Sequence, residues 1–316
     1  MHREMKARDL RVSWLQKMGP LAGLLLIIIL LSTISHDFLS MSNIFNVLRQ
    51  ISINALLAFG MTLVILTGGI DLSVGSILAL SGVLTAGMMG MGIEPWLASL
   101  IGIIAGAVMG SINGLLITKG RVAPFIATLA TMSLFRGLTL VYSEGRPIIS
   151  DDYSFVIMGQ GYFLEIPIPV IWILICFFVL GFILKNTPFG RHIYALGGNE
   201  EAALLAGIRT VGVKVAVYTL SGIFAALAGI ILTARLSSAQ PTMGTGYELS
   251  AIAAVVLGGT SLTGGKGWIT GTLIGAMIIG VLDNGLNLLN VSSFYQQVVK
   301  GAVILIAVLL DRSQKT

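Results

Sequence analysis

Ile171-Trp172-Ile173-Leu174-Ile175-Cys176-Phe177-Phe178-Val179-Leu180-Gly181-Phe182-Ile183-Leu184 carries no charge and no amide side chain. Together with Pro167-Ile168-Pro169-Val170 before it, the stretch approaches the roughly 20 apolar residues that cross a bilayer as a helix. Comparable runs, bounded by charge, proline or polar clusters, lie near residues 18–35, 44–67, 72–92, 95–118, 122–142, 214–234, 249–263, 268–288 and 294–310. They predict an all-α, polytopic integral membrane protein with about ten transmembrane helices. The run 249–263 is the shortest, and a half-span or a broken helix is the alternative there.

The composition agrees. Of 316 residues, 55% are hydrophobic and 10% charged, and mean hydropathy is +0.94. A soluble globular chain carries about 25% charged residues, because it must hydrate its surface; lipid must therefore be part of the solvent here. Thirty-nine glycines suit helices that pack closely in a membrane. The single cysteine, Cys176, allows neither a disulfide framework nor a Cys/His metal spacing. A net charge of +5 would suggest nucleic acid for a soluble protein. In a membrane protein it is better read as basic loops that orient the chain, so no nucleic-acid partner is expected, and lipid is.

With a cytoplasmic N-terminus and ten alternating helices, the inside segments collect Arg3, Lys6, Arg8, Arg11, Lys17, Lys119, Arg121, Lys185, Arg191, Arg209, Lys214, Lys266, Arg312 and Lys315. Only Arg146 falls clearly outside, as the positive-inside rule requires. Both termini are then cytoplasmic. The basic residues before the first run resemble the start of a signal peptide, but Ser32-Thr33-Ile34-Ser35-His36-Asp37 offers no small-x-small cleavage site. A retained helix behind a cytoplasmic tail (residues 1–17) is expected. The hydrophilic stretches 143–165 and 185–214 are too small for a soluble catalytic domain. One membrane domain, residues 1–316, is predicted.

His2, His36 and His192 lie in unrelated places, and no Ser/His/Asp array, HExxH or EF-hand loop occurs. No catalytic residue, metal site or cofactor is expected. Gly259-Thr260-Ser261-Leu262-Thr263-Gly264-Gly265-Lys266-Gly267 has the look of a phosphate loop. Yet Thr260 stands where that motif needs its first glycine, and Gly267 where Ser or Thr would hold magnesium. It reads as a cytoplasmic glycine turn, so this chain is not expected to bind ATP by itself. Gly68-Gly69-Ile70-Asp71-Leu72-Ser73-Val74-Gly75 resembles Gly258-Gly259-Thr260-Ser261-Leu262-Thr263-Gly264-Gly265 at a constant offset. Two related halves would produce this, and the interruptions would then point to a pathway; chance in a glycine-rich chain is the other reading. Gly102, Gly106, Gly110 and Gly114 line one helix face for close packing.

In the inner loop, about residues 185–213, Asn199 is placed to cap a helix. Glu200 and Glu201 complement its dipole, and Gly207 is a natural stop. A short helix results, either an ordinary surface element or a docking one. At membrane depth, Asn54, Thr62, Asp71, Ser73, Asp283, Asn284 and Asn287 are candidates for a path suited to hydroxyl-rich ligands. Asp71 with Ser73 reads also as the cap of the third helix. Asp283, Asn284 and Asn287 share one helix face, and internal helix–helix hydrogen bonds explain them as well. In the outer loop 234–248, Arg235, Gln240, Tyr247 and Glu248 are candidates for an outer gate or for contact with a binding protein.

Several long strings carry a resemblance: Gly60-Met61-Thr62-Leu63-Val64-Ile65-Leu66-Thr67-Gly68-Gly69-Ile70-Asp71-Leu72-Ser73-Val74-Gly75-Ser76, Lys119-Gly120-Arg121-Val122, Ile193-Tyr194-Ala195-Leu196-Gly197-Gly198-Asn199-Glu200, and Ala234-Arg235-Leu236-Ser237-Ser238-Ala239-Gln240-Pro241. In these, in order across about residues 20–310, the chain resembles permeases of ABC importers for ribose and related monosaccharides. Glu201-Ala202-Ala203-x-x-x-Gly207 is similar to the EAA-type loop of importer permeases, where a short transverse helix docks in a groove of the ATPase. The resemblance implies that Asn199, Glu200, Glu201, Ala202, Ala203 and Gly207 couple to such a subunit. It implies a non-catalytic permease in a bacterial inner membrane, paired with a second permease subunit (a homodimer). A cytoplasmic ATP-binding subunit and a periplasmic or lipid-anchored sugar-binding protein complete the implied system. Ribose is the favoured cargo; another pentose, galactose or an autoinducer-like sugar are the alternatives within the family. A secondary transporter or facilitator is the alternative outside it. The outer segment 150–165 is shorter than the family pattern, which bears on binding-protein docking.

Overall fold

A computed structural model describes residues 19–313; the expected tail, residues 1–17, lies outside the described residues. The chain is mostly helical (76%). The order is α1 (Gly19–Ile34), α2 (Met41–Leu66), α3 (Val74–Gly90), α4 (Pro95–Thr118), α5 (Pro124–Ser143), α6 (Tyr153–Gln160) and α7 (Ile168–Asn186). There follow α8 (Pro188–Gly198), α9 (Glu200–Leu205), α10 (Thr210–Leu236), α11 (Tyr247–Leu257), α12 (Ile269–Leu288) and α13 (Ser293–Ser313). Two-residue strands form two small antiparallel pairs, β1 (Ile148–Ile149) with β4 (Ser238–Ala239) and β2 (Tyr162–Phe163) with β3 (Ile166–Pro167).

Each apolar run of the sequence contains a helix. Six, α2, α4, α5, α7, α10 and α12, are long and apolar enough to cross a membrane, while α1, α3 and α11 are shorter apolar helices. The helix expected over 249–263 stops at Leu257, because Gly258 and Gly259 turn the chain there, the latter at φ +83°. Two short helices, α6 and α8, interrupt stretches that read as loops. Their start signals are local: Asp152 accepts from Ser154 N–H, and Thr187 accepts from Gly190 N–H with Pro188 in the first turn.

α2 forms the centre. Every residue from 51 to 67 is buried, since α10, α11, α12 and α7 all pack around it; a helix apolar all round belongs inside. α4 and α10 share the most extensive helix contact. Its seam is the glycine stripe of α4. A Cβ added at Gly106 would strike Gly222 and Ala226, one at Gly110 the Tyr218 carbonyl, and one at Gly114 the Val215 backbone. The stripe thus packs within the chain. α7 lies at the periphery, with Phe178, Val179 and Phe182 exposed along its outer face, as suits a helix that meets lipid.

The two glycine motifs turn out to be equivalent chain reversals, one residue out of the sequence register. Gly68 (φ +78°) donates to Ile65 O at 2.9 Å and Gly69 to Val64 O at 3.1 Å. Gly259 (φ +83°) donates to Val256 O at 2.9 Å and Thr260 to Val255 O at 3.2 Å. Both are helix ends of the Schellman type, which need a residue at positive φ just past the last turn. Gly68 therefore corresponds to Gly259 and not to Gly258. Matching glycines by identity slipped by one, because only the left-handed position is required by geometry.

Candidate functional site

The inner-loop helix forms as its caps require. Asn199 Oδ1 accepts from Ala202 N–H at 2.9 Å, Glu200 and Glu201 occupy the first turn, and Gly207 at φ +83° ends it. Ala203 is buried, and Lys214 of α10 pairs with Glu200 at 2.7 Å. Glu201, Ala202 and Ala206 face solvent, and so do two large apolar side chains, Leu204 (61% exposed) and Leu205 (89%). The two leucines stand side by side on the exposed face of α9, outside the apolar spans. The same signals were legible in the sequence; α8, which carries α9, was not foreseen.

α8 is seated on the core by glycines. A Cβ added at Gly197 would strike Leu66 O at the end of α2 and Gly265 N in the α11–α12 turn. Gly264 lies against Gly197 and Gly68, and Gly265 against Gly198. Gly265 N–H donates directly to Leu66 O at 3.0 Å. Three glycine turns thus meet at one point, and Tyr194 fastens the preceding turn of α8 by donating to Gly267 O at 3.0 Å. Burial raises the Tyr194 hydroxyl pKa above its ordinary value, so it remains a donor at neutral pH.

The polar residues expected at depth divide into two places. Asp71 is fully buried; Ser73 donates to its Oδ1 from N–H (3.0 Å) and Oγ (2.6 Å), and Ser221 Oγ donates to Oδ2 at 3.0 Å. Asn113 Nδ2 donates to Ser73 Oγ at 2.7 Å, and Thr131 Oγ1 to Asn113 Oδ1 at 2.7 Å. Ser73 occupies the N-cap position of α3, but its side chain makes no cap bond; the Asp71 carboxylate takes the Ser73 N–H instead. This network ties α3, α4, α5 and α10 together. Asn54 is buried within α2, and Thr62 Oγ1 lies 2.7 Å from Thr272 Oγ1 of α12.

The second place is the far half of α12. Asn284 and Asn43 form a reciprocal amide pair at 2.7 and 3.0 Å. Lys300 of α13 pairs with Asp283 at 2.9 Å. Asn287 parts from its two neighbours: it is exposed and accepts from Gln296 at 2.8 Å. The expected single polar face of α12 is therefore split, because Asp283 and Asn284 turn into different packing partners while Asn287 lies in the last turn. Asn43, the partner of Asn284, carried no sequence signal, being 241 positions away.

The outer candidates are held by long polar side chains. Arg235 Nη2 donates to Asn46 Oδ1 at 2.7 Å, and Gln160 Nε2 donates to Arg235 O at 3.0 Å. Gln240 Nε2 donates to Ser238 Oγ at 3.3 Å, and Glu248 Oε1 accepts from Gly246 N–H at 3.1 Å. Tyr247 lies within electrostatic reach of both Arg235 and Asp283, and its helix α11 packs on α12. Sequence reasoning did not assign a role to Arg136. From α5 it donates through Nη1 to Pro241 O and Met243 O, both at 2.8 Å, and so fixes the loop between α10 and α11.

No metal-binding group of His, Cys, Asp and Glu occurs among the described residues. Residues 43–308 match the family model described as branched-chain amino acid transport system / permease component. The ribose import permease protein RbsC of Bacillus subtilis (strain 168) is 63% identical over 302 residues, covering 95% of this chain and 94% of that protein. The protein of the same name from Escherichia coli (strain K12) is 53% identical over 308 residues, 96% of each chain. The D-allose transport system permease protein AlsC of Escherichia coli (strain K12) is 42% identical over 311 residues, 98% of this chain and 95% of that protein. No solved structure matches the chain.

Proposed function

The chain belongs to the branched-chain amino acid transport system / permease component family, and from its likeness to the ribose import permease proteins of Bacillus subtilis and Escherichia coli we propose that it is the membrane subunit of an ATP-driven importer of ribose. The carrying observation is the capped helix α9, with Leu204 and Leu205 bare to solvent, mounted through Gly197 on the end of the central helix. It suits a surface that an ATP-binding subunit grips and moves. The permease itself is non-catalytic, and ATP is hydrolysed by that separate subunit.

In this reading the chain is one membrane domain with about ten helices crossing or entering a bacterial inner membrane, surrounded by lipid, both termini in the cytoplasm. It works as a homodimer, and a periplasmic or lipid-anchored binding protein delivers the sugar at the end carrying Arg235, Gln240, Tyr247 and Glu248. Among the path candidates, Asn287 is exposed, while Asp283 is buried and paired with Lys300 of α13. Asn54, Thr62, Asp71, Ser73 and Asn284 hold helices together in the conformation described. A secondary transporter would need acidic groups free to exchange a coupling ion; Asp71 and Asp283 are both engaged, and α9 would have no purpose.

Glu201→Lys tests the coupling assignment. Glu201 is exposed and makes no ion pair among the described residues, so the fold should survive. The variant should lose both co-purification with the ATP-binding subunit and ribose uptake; normal transport would sink the reading. Uptake in competition with xylose, galactose and autoinducer-like furanoses settles the cargo.

A further inference from the structure

Between the ends of α7, α8 and α12 lies a cavity of about 770 Å³, lined by none of the residues of α9. Its floor is hydrocarbon and aromatic, with Phe178 and Phe182 of α7 and Ile269 of α12. The two phenylalanines are 67% and 62% exposed, so the cleft opens sideways, towards the bilayer. Its rim is polar. Tyr194 and Trp268 stand there, both immobilised by bonds to backbone, Tyr194 to Gly267 O at 3.0 Å and Trp268 Nε1 to Gly258 O at 2.9 Å. The cleft is thus framed by fixed rings, of the two types that settle at the headgroup level of a membrane.

Lys185 lines the same rim. Arg191 lies one turn before Tyr194 on α8, and Lys266 two residues before Trp268. All three are exposed, and none forms an ion pair among the described residues. An apolar slot open to lipid, with Lys185 on its rim and no counter-charge paired to it among the described residues, suits an amphiphile with a negative head. A small anion would have no use for the aromatic floor, and a zwitterionic lipid would leave Lys185 without a net counter-charge. We propose that this cleft binds an anionic phospholipid, with an acyl chain along Phe178 and Phe182 and its phosphate at Lys185. Bound there, the lipid braces α8, the helix that seats the coupling segment on α2. The proposal rests on the permease reading only for the side of the membrane it faces; binding itself requires neither ATPase nor sugar.

The test is native mass spectrometry of the full chain released from nanodiscs containing equal parts phosphatidylglycerol and phosphatidylcholine. Wild-type protein should retain phosphatidylglycerol preferentially. Lys185→Gln should weaken that preference about fivefold, since each basic residue near an anionic surface is worth ~1 kcal/mol. Gly181→Phe, which fills the slot and leaves every charge in place, should remove the retained lipid altogether; a Cβ at Gly181 meets only Ile269, at 3.6 Å, so the backbone tolerates a side chain. Circular dichroism of each variant checks that it is folded. Equal retention of both lipids by wild type would overturn the proposal. So would unchanged retention in folded Gly181→Phe, or displacement of the lipid when the ATP-binding subunit is added, which would assign the cleft to the subunit interface.

Discussion

The two ends of the molecule are fastened by different means. Where α8 and α9 sit, backbone meets backbone: Gly197 lies against the Leu66 carbonyl, Gly264 and Gly265 lie against Gly197 and Gly198, and Gly265 N–H bonds Leu66 O at 3.0 Å. At the opposite end, long side chains reach across gaps. Arg136 holds the carbonyls of Pro241 and Met243, Arg235 holds Asn46, and Arg49 lies over the Tyr162 ring at 4.8 Å. A contact without side chains has no rotamers to rearrange, so it passes on a displacement or breaks. A guanidinium on a flexible stem can exchange one acceptor for another, each charged bond being worth about 1.5–3 kcal/mol. Under the transport reading proposed above, the first construction would serve as a lever and the second as a mouth that rearranges.

Gly197→Ala is the most direct way to break this contrast. Its Cβ would collide with backbone atoms that cannot step aside, so the cost should reach about 1–3 kcal/mol, as for overpacking elsewhere. ATP-driven uptake in proteoliposomes should fall by at least an order of magnitude, with a lowered melting temperature. At Gly198 an added Cβ meets nothing within 4 Å, and Gly198→Ala should behave as wild type. Equal effects at both positions would erase the distinction.

Arg136→Lys sharpens the contrast from the other side. It keeps the charge but loses the planar group whose Nη1 holds Pro241 O and Met243 O while Nη2 reaches Gly75 O at 3.4 Å, at about 1.5–3 kcal/mol. Uptake should weaken several-fold while pull-down of the ATP-binding subunit stays intact. Gly207→Ala is milder: the site is open, but φ is +83°, where a Cβ costs roughly 1–2 kcal/mol. Affinity for the ATP-binding subunit, followed by titration, should drop about fivefold to thirtyfold at most.

Asp152 gives the smallest effect. Bonds from the Ser154 hydroxyl first, and from Phe155 and Ser154 N–H, hold its carboxyl below the ordinary range. The cap's contribution is therefore full above the ordinary aspartate pKa and fades as pH falls through the lowered one. Amide protection factors at Ser154 and Phe155, corrected for the intrinsic pH dependence of exchange, should stay level from neutral pH downward and fall only in acid, as the carboxylate takes its proton. Loss of protection already near neutrality would mean that the carboxylate is not the cap.

The helices were legible because lipid enforces long apolar runs, and α9 because Asn199, Glu200 and Gly207 act within a few residues of one another. α8 was hidden. Its amphipathic residues, with Ile193 and Leu196 buried, sit in a stretch whose average polarity resembles a loop, and only Thr187-Pro188 announces it. The division of the polar candidates was not legible either. Spacing along α12 puts Asp283, Asn284 and Asn287 near one another, but which of them meets Lys300, Asn43 or solvent depends on helices distant in sequence. Arg136 likewise shows its purpose only once the carbonyls of Pro241 and Met243 are in place.

The position of α2 has a consequence for the order in which the protein is made. Synthesis runs from the N-terminus, and α2 emerges among the first helices, yet its wrapping of α10, α11 and α12 emerges among the last. Asn43 must wait for Asn284, and Thr62 for Thr272. Until then the future centre of the molecule is a lone helix in the bilayer, its polar groups provisional and its neighbours not yet translated. The innermost part of the finished permease is thus among the earliest to enter the membrane and the last to find its surroundings.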